Sequence, residues 1–263
     1  AGLMAAEALT DAGLAVDLYD AMPSVGRKFL MAGKGGMNIT HSEPFDAFLA
    51  RYGARREALA PMLEAFGPEA LREWMRGLGV ESFVGSSGRV FPKEMKAAPL
   101  LRAWLHRLRE QAVRFHVRHR LTGLERLADG HYRLRFATPD GERQIEAHRV
   151  VLALGGGSWA RLGSDGAWVP VLRAAGVEVA DLLPANCGFD IGGSDLQGFE
   201  PARAAPGTDG KGAERTPHSA WSTHFLQRFR GQPLKSVVAH FTDFKGQRHE
   251  RAGECLVSAS GIE

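Results

Sequence analysis

Apolar positions follow two different spacings along the chain, and each spacing predicts one kind of element. In 99–108 the large apolar side chains recur every three or four residues, which is typical of a helix with one buried face. Val113–Val117 and Tyr132–Phe136 alternate apolar and polar residues, which predicts half-buried strands. A turn at Pro139–Gly141 leads into Arg143–Ala147, so the sequence predicts a hairpin or small meander here.

Continuous apolar runs predict a second kind of strand, buried on both faces as in a parallel sheet. These runs are Leu14–Tyr19, Val150–Leu154 and Val177–Leu183. Helical patterns lie at 1–10, before the first run, and at 163–176, between the other two. Helices alternating with buried strands predict an α/β fold with a parallel sheet.

The segment 25–40 contains four glycines within eleven positions, at Gly26, Gly33, Gly35 and Gly36. Glycine destabilises the interior of a helix or strand, but it lets a backbone approach a ligand closely. The same segment supplies positive charge and side-chain hydrogen bonds, from Arg27, Lys28, Lys34, Asn38 and Thr40. Such a loop can wrap a phosphate-bearing ligand or be a flexible surface loop, and its residues alone leave both interpretations open.

The start of the chain matches the second half of a dinucleotide-binding βαβ unit. A helix begins near Gly2, a strand follows, and Asp20 comes 18 positions after Gly2. Gly2 would then be the last glycine of G-x-G-x-x-G, with the first strand and first two glycines upstream of residue 1. The last residues form no closing element. We therefore expect the sequence to be truncated at both ends.

Composition sets broad limits. The chain has 263 residues, 44% hydrophobic and 24% charged, with a net charge of +3 and two distant cysteines, Cys187 and Cys255. These values predict an ordinary globular protein without a disulfide framework or metal site, in the cytoplasm, and no apolar run is long enough to cross a bilayer. A basic stripe at Arg102–Arg120 fits either a solvated surface or a nucleic-acid contact.

Three motifs carry a resemblance to a known family. They are Gly26–Thr40, Leu152–Ser158 and Pro184–Asp190. With them the chain resembles the bacterial NAD(P)/FAD-dependent flavoproteins that include bile-acid enone reductases and a 23S rRNA dihydrouridine-forming enzyme. Met37 stands where the better-known members have cysteine, so the chain resembles an offshoot of this family.

The resemblance implies a glutathione-reductase-like, Rossmann-like FAD-binding domain, with a parallel sheet, helices and a small antiparallel meander. That domain would cover 1–185, and an inserted β-rich substrate domain would begin in 186–263. Residues 191–219 are rich in Gly, Pro, Ala, Ser and charge, so we expect a disordered insertion there.

The resemblance also implies a role in FAD binding for particular residues. Gly2 would let a helix N-terminus approach the pyrophosphate, and Asp20 would bind the adenosine ribose. Arg27 and Lys28 would neutralise phosphate charge. The backbone of Val117 would meet the adenine edge. Three residues would lie near the flavin ring: Gly35, Gly36 and Asn38. Three glycines would pass under the cofactor: Gly155, Gly156 and Gly157.

The expected function is that of an FAD-dependent oxidoreductase, in which NAD(P)H reduces an electron-poor C=C bond of a small molecule. The catalytic residues are not identified. Two alternatives stay open: uridine reduction in RNA, and a non-catalytic FAD-binding protein. We expect no membrane partner, and the basic stripe should bind RNA only non-specifically.

Overall fold

The computed structural model describes residues 1–31, 36–183, 188–190, 221–242 and 246–262. The chain divides into two compact units, Ala1–Leu182 and Leu183–Glu263. The roles predicted for 1–185 and 186–263 remain predictions. The predicted disordered insertion, 191–219, lies outside the described residues.

The described helices of the first unit are α1 (Gly2–Asp11), α2 (Arg27–Leu30), α3 (Phe45–Ala50), α4 (Arg56–Ala65), α5 (Pro68–Gly77), α6 (Ala97–Glu110) and α7 (Trp168–Ala174), with 3-10 turns at Gly53–Arg55 and Ala160–Leu162. Its described strands are β1 (Asp17–Asp20), β2 (Thr40–His41), β3 (Ser82–Val84), β4 (Arg89–Pro92), β5 (Arg114–Val117), β6 (Arg120–Arg126), β7 (Tyr132–Thr138) and β8 (Gly141–Ala147). No helix in these ranges or in the described part of the second unit is long and apolar enough to cross a membrane.

A parallel pair of strands forms the centre of the first unit. β1 pairs with β5, with Asp17 opposite Arg114 and Asp20 opposite Val117. α1 and α6 pack against this pair through a buried cluster that includes Leu3, Ala6, Val25, Leu101, Trp104, Leu108 and Val113. The predicted apolar face of α6 is confirmed, since it supplies three of these side chains.

The first unit also contains two small antiparallel sheets of three strands each. β2, β4 and β3 form one of them, and a turn at Gly85–Gly88 joins β3 to β4. β6, β7 and β8 form the other, with Leu134 and Phe136 buried. The predicted meander at 132–147 is therefore confirmed.

Two predicted buried strands do not form in the described structure. Val150–Leu154 pairs with no described strand, and Val151 and Leu152 are 59% and 40% exposed. Val177–Leu183 likewise forms no described ladder, and Leu183 is 84% exposed. An apolar run becomes a strand only where a neighbour satisfies its backbone groups, and no described strand lies beside either run.

A buried carboxylate at the middle of α1 holds three elements together. Glu7 is 5% exposed. It accepts hydrogen bonds from Trp74 Nε1 of α5 at 3.0 Å and from Trp104 Nε1 of α6 at 2.6 Å. Arg107 Nη1 donates to its other oxygen at 2.7 Å. We call these four residues the Glu7 clamp. Arg107 belongs to the basic stripe Arg102–Arg120, and its guanidinium faces this carboxylate, so this arginine has a structural contact.

The second unit contains short paired elements. β9 (Phe189–Asp190) pairs with β12 (Gly261–Ile262). β10 (Pro233–Thr242) and β11 (Arg248–Leu256) form a long antiparallel ribbon, and α8 (Thr223–Phe229) precedes them. The Ser222 side chain caps α8 by accepting from Phe225 N at 3.2 Å.

Candidate functional site

The first turn of α1 lies against a glycine-rich segment. An ideal Cβ built on Gly2 would come within 3.4 Å of Ala153 Cβ, so only a small residue fits this approach comfortably. Ala1 gives α1 no side-chain cap, and the first helical hydrogen bond is donated by Ala5 N. No side chain of the described residues caps the start of α1, and its first N–H groups have no partner within the helix, so they can attract an anion.

The glycine-rich segment 153–158, which we call the glycine strap, has an open surface. Gly155 has a φ of +75°, a conformation that favours glycine. An ideal Cβ on Gly156 would meet no described atom within 4 Å. Gly157 is exposed. The strap thus presents bare backbone to a ligand.

Lys28 connects the strap to α2. Its Nζ donates to Ser158 Oγ at 2.9 Å. Gly26, immediately before α2, has a φ of +73°, and an ideal Cβ there would come within 2.8 Å of Leu101 Cδ2 on α6. Glycine at this position lets α2 pack closely on α6, which places the Lys28 ammonium at the end of the strap.

Asp20 ends β1 with its carboxylate half-buried. Its Oδ1 accepts from Met22 N at 2.8 Å. Burial raises the pKa of Asp20, and the Met22 hydrogen bond and the positive charge of Arg27 offset part of that increase. Arg27 is therefore close enough to act electrostatically on this carboxylate.

Val117 lies opposite Asp20 at the end of β5 and is 36% exposed. Beyond it the backbone turns, because Arg118 has a φ of +57° and donates its N–H to Met22 O at 3.0 Å. A shallow groove of about 520 Å³ lies here, lined by Ala21, Pro23, Arg118, Arg120 and the Ala137–Pro139 corner. The groove adjoins the place predicted to hold adenosine.

A turn at Gly163–Gly166 joins the two halves of the site. Gly166 N donates to Gly156 O of the strap at 3.1 Å. An ideal Cβ on Gly163 would come within 2.9 Å of Met22 Cγ, so the turn also packs beside Asp20. Asp165 Oδ2 accepts from Arg120 Nη1 at 2.9 Å. Burial acts to raise the pKa of Asp165, but hydrogen bonds from Ala167 N and Arg120 give a net lowering.

Two other predicted site residues, Gly36 and Asn38, have partners within the protein. Asn38 Nδ2 donates to Thr40 O at 2.8 Å and to Val90 O at 3.1 Å, which holds the edge of the β2–β4 sheet. An ideal Cβ on Gly36 would come within 2.3 Å of Met95 Cε. No described hydrogen bond joins Gly36 or Asn38 to the strap, and Gly35 lies outside the described residues.

Met37 belongs to the core. It is 3% exposed and packs with Met75, Ala97 and Leu100. The methionine that replaces the family's cysteine therefore fills space between α5 and α6.

The sequence did not predict the connecting turn or the Glu7 clamp. The signal for the turn was present as Gly163-Ser-Asp-Gly166, which we interpreted only as a helix start. The ion pair of Asp165 with Arg120 spans 45 residues, and no local pattern reveals a contact at that separation.

These residues fit a dinucleotide. Uncapped amides of α1 and the Lys28 ammonium suit a pyrophosphate. The Asp20 carboxylate, at the carboxyl end of a parallel strand, suits ribose hydroxyls. At Gly156 the strap has no described atom within 4 Å of an ideal Cβ, so there is space beside it for a dinucleotide.

Comparison with known protein families gives one match over most of the chain. Residues 1–253 match the family described as HI0933-like protein Rossmann domain. A 3-dehydro-bile acid Δ4,6-reductase from Clostridium scindens is 31% identical over 181 residues, covering 68% of this chain and 42% of the reductase. The chain therefore spans less than half the length of this relative.

Similar solved structures include BexE, studied for oxidation in BE-7585A biosynthesis, and aklavinone-11 hydroxylase in complex with FAD and aklavinone. BexE is 20% identical, with a TM-score of 0.39, over 61% of this chain and 30% of BexE. The hydroxylase is 17% identical, with a TM-score of 0.35, over 61% of this chain and 32% of the hydroxylase.

Proposed function

Because the chain belongs to the HI0933-like Rossmann-domain family, we propose that it is the dinucleotide-binding part of an FAD-dependent oxidoreductase. Its substrate would be a small molecule with an electron-poor C=C bond, and NAD(P)H would be the reductant. When bound, FAD would supply the hydride chemistry, and the protein would position and tune it.

One observation supports the proposal: the glycine strap contacts both the start of α1 and the Gly163–Gly166 turn, and that turn packs on Met22, whose N–H binds the Asp20 carboxylate. Gly2 meets the strap at Ala153, and the Gly163–Gly166 turn extends from Gly156 to Met22, next to Asp20. A ligand with an anionic centre and a ribose at one end matches this order of groups.

The bile-acid relative supports the choice of reaction. Its name describes reduction of 4,6 double bonds in a 3-dehydro-bile acid. An enone of this kind accepts a hydride at carbon and then a proton. We therefore propose conjugated enones as the substrate class for this chain.

Asp20→Ala tests the cofactor assignment. It removes a charged hydrogen-bond acceptor from the ribose position, and each such bond contributes roughly 1.5–3 kcal/mol. We expect the affinity for FAD to fall about ten- to a hundredfold, measured by titration of flavin fluorescence. Asp11→Ala is the matched control, because Asp11 is exposed at the other end of α1, where its Oδ1 accepts a hydrogen bond from Gln111 Nε2 at 2.7 Å.

Two results would overturn the assignment. One is a wild-type chain that takes up no FAD, and the other is equal FAD affinity in Asp20→Ala and Asp11→Ala. A separate assay tests the reductase activity. It follows the loss of NAD(P)H absorbance when an enone steroid is added to the FAD-loaded protein.

A further inference from the structure

One buried hydroxyl in the first unit has no hydrogen-bond partner. Ser164 is 4% exposed, and its Oγ lies within hydrogen-bonding distance of no described group. Leaving a buried polar atom unsatisfied destabilises a protein by about 1–3 kcal/mol, so such atoms are rare. The position of Ser164 therefore needs an explanation.

The hydroxyl points towards the glycine strap. An ideal Cβ on Gly155 would be 3.5 Å from Ser164 Oγ but 4.0 Å from Ser164 Cβ, so the oxygen is the nearer atom. The backbone of Ser164 is fixed, because its N–H donates to Trp159 O at 3.1 Å and its carbonyl accepts from Trp159 N at 2.9 Å. The hydroxyl is thus held beside the strap by a rigid loop.

The surroundings of the strap select an anion as its partner. The free amides of α1 approach the strap at Ala153, and the Lys28 ammonium reaches its far end at Ser158. Both attract negative charge. A hydroxyl that lacks an acceptor completes such a set by donating to an oxyanion, which forms a stronger bond than a neutral acceptor does.

We propose that the Ser164 hydroxyl binds the ligand by donating a hydrogen bond to a pyrophosphate oxygen of the dinucleotide on the glycine strap. This inference rests on the proposed function, and it assigns a binding role to a residue outside the glycine-rich motifs. It also explains the orphaned hydroxyl, because its acceptor belongs to the ligand.

The test compares Ser164→Ala with the wild-type chain in two measurements. FAD affinity should fall roughly ten- to a hundredfold, because a charge-assisted hydrogen bond is lost. The melting temperature without ligand should stay unchanged or rise, because the hydroxyl has no protein partner to lose. Ser164→Cys keeps the shape but donates weakly, so it should bind FAD as poorly as Ser164→Ala does.

Ser42→Ala is the matched control, since the exposed Ser42 hydroxyl donates to Gly88 O at 3.1 Å away from the strap. It should change neither measurement. ADP-ribose identifies the contacted group, because it contains the pyrophosphate and lacks the flavin. Ser164→Ala should weaken FAD and ADP-ribose by the same factor.

Two results would overturn the inference: unchanged FAD affinity, whatever the melting temperature, or a loss of affinity for FAD but not for ADP-ribose. Unchanged affinity is also what a hydroxyl satisfied by a buried water would give. If the wild type binds ADP-ribose in a Ser164-dependent manner but takes up no FAD, the inference stands and the flavin assignment fails. If it binds neither ligand, both fail.

Discussion

Two buried polar groups of the first unit have opposite surroundings. The carboxylate of Glu7 receives three hydrogen bonds from α5 and α6. The hydroxyl of Ser164 receives and donates none within the described residues. A buried charge is tolerated only with such partners, so the Glu7 clamp is a structural device. The hydroxyl of Ser164 lacks such partners, and this is the observation from which we infer its role in ligand binding.

The difference assigns different tasks to the middle and to the first turn of α1. The clamp fixes the middle of the helix against α5 and α6. The first turn keeps its amides free beside the strap. One helix is therefore anchored by its side chains and available for binding through its backbone.

The largest expected effect is that of Glu7→Ala. Removing one partner of a buried ion pair leaves Arg107 and two indole N–H groups without their acceptor, and such changes destabilise proteins by about 3–5 kcal/mol. Urea unfolding of the ligand-free chain measures this loss. Glu110→Ala is the control, because Glu110 is exposed on α6 and contacts His106 at 3.4 Å. If Glu7→Ala lowers the free energy of unfolding by less than about 1 kcal/mol, the clamp contributes no more than an ordinary surface ion pair.

Trp104→Phe should have an intermediate effect. It keeps an aromatic ring in the core but removes the donor 2.6 Å from Glu7 Oε2, a hydrogen bond to a charged group that contributes about 1.5–3 kcal/mol. The same urea titration checks it. Trp159→Phe is the control, since Trp159 is 47% exposed. Equal losses in the two variants would show that the indole N–H does not support the clamp.

The smallest effect concerns Asp17, whose ion pair is more exposed than that of Glu7. A hydrogen bond from Arg114, followed by His116, outweighs partial burial and lowers the pKa of Asp17 from 3.8 to about 2. The folded state therefore holds this proton less tightly than the unfolded state. The stabilisation is complete above pH ~4 and is lost as the pH falls towards ~2.

Because the Asp17 side chain is 34% exposed, solvent screening limits the contribution to about 1 kcal/mol. Asp17→Asn should reduce the free energy of unfolding by that amount at pH ~7 and flatten its slope between pH ~4 and ~2. Unfolding titrations across this range measure both values. An unchanged slope would show that another carboxylate controls the acid transition.

Local patterns predicted the elements that can be recognised from residue spacing. The helical spacing of Leu100, Leu101, Trp104 and Leu108 identified α6, although the partners of these side chains are distant in sequence. Alternation at Tyr132–Phe136 identified the meander, in which neighbouring strands are joined by short turns. Periodicity reveals which face of an element is buried, but it does not reveal what covers that face.

Contacts between residues far apart in the sequence could not be predicted from local patterns. Val150–Leu154 has the composition of a buried strand, yet ladder formation depends on a neighbour that composition does not specify. Glu7 is a single acidic residue in an apolar helix, and its partners lie 67, 97 and 100 residues away. In the candidate site, the motifs indicated Gly2, Asp20 and the strap, whereas Ser164 required the three-dimensional position of its hydroxyl.

The long sequence separation within the Glu7 clamp has a kinetic consequence. Bringing α1 to α5 and α6 closes chain segments of 67 to 100 residues, and that entropic cost comes before any contact is formed. We expect contacts of this kind to form after the local helices and the meander. The clamp would then act mainly on the rate of unfolding and contribute little to the rate of folding.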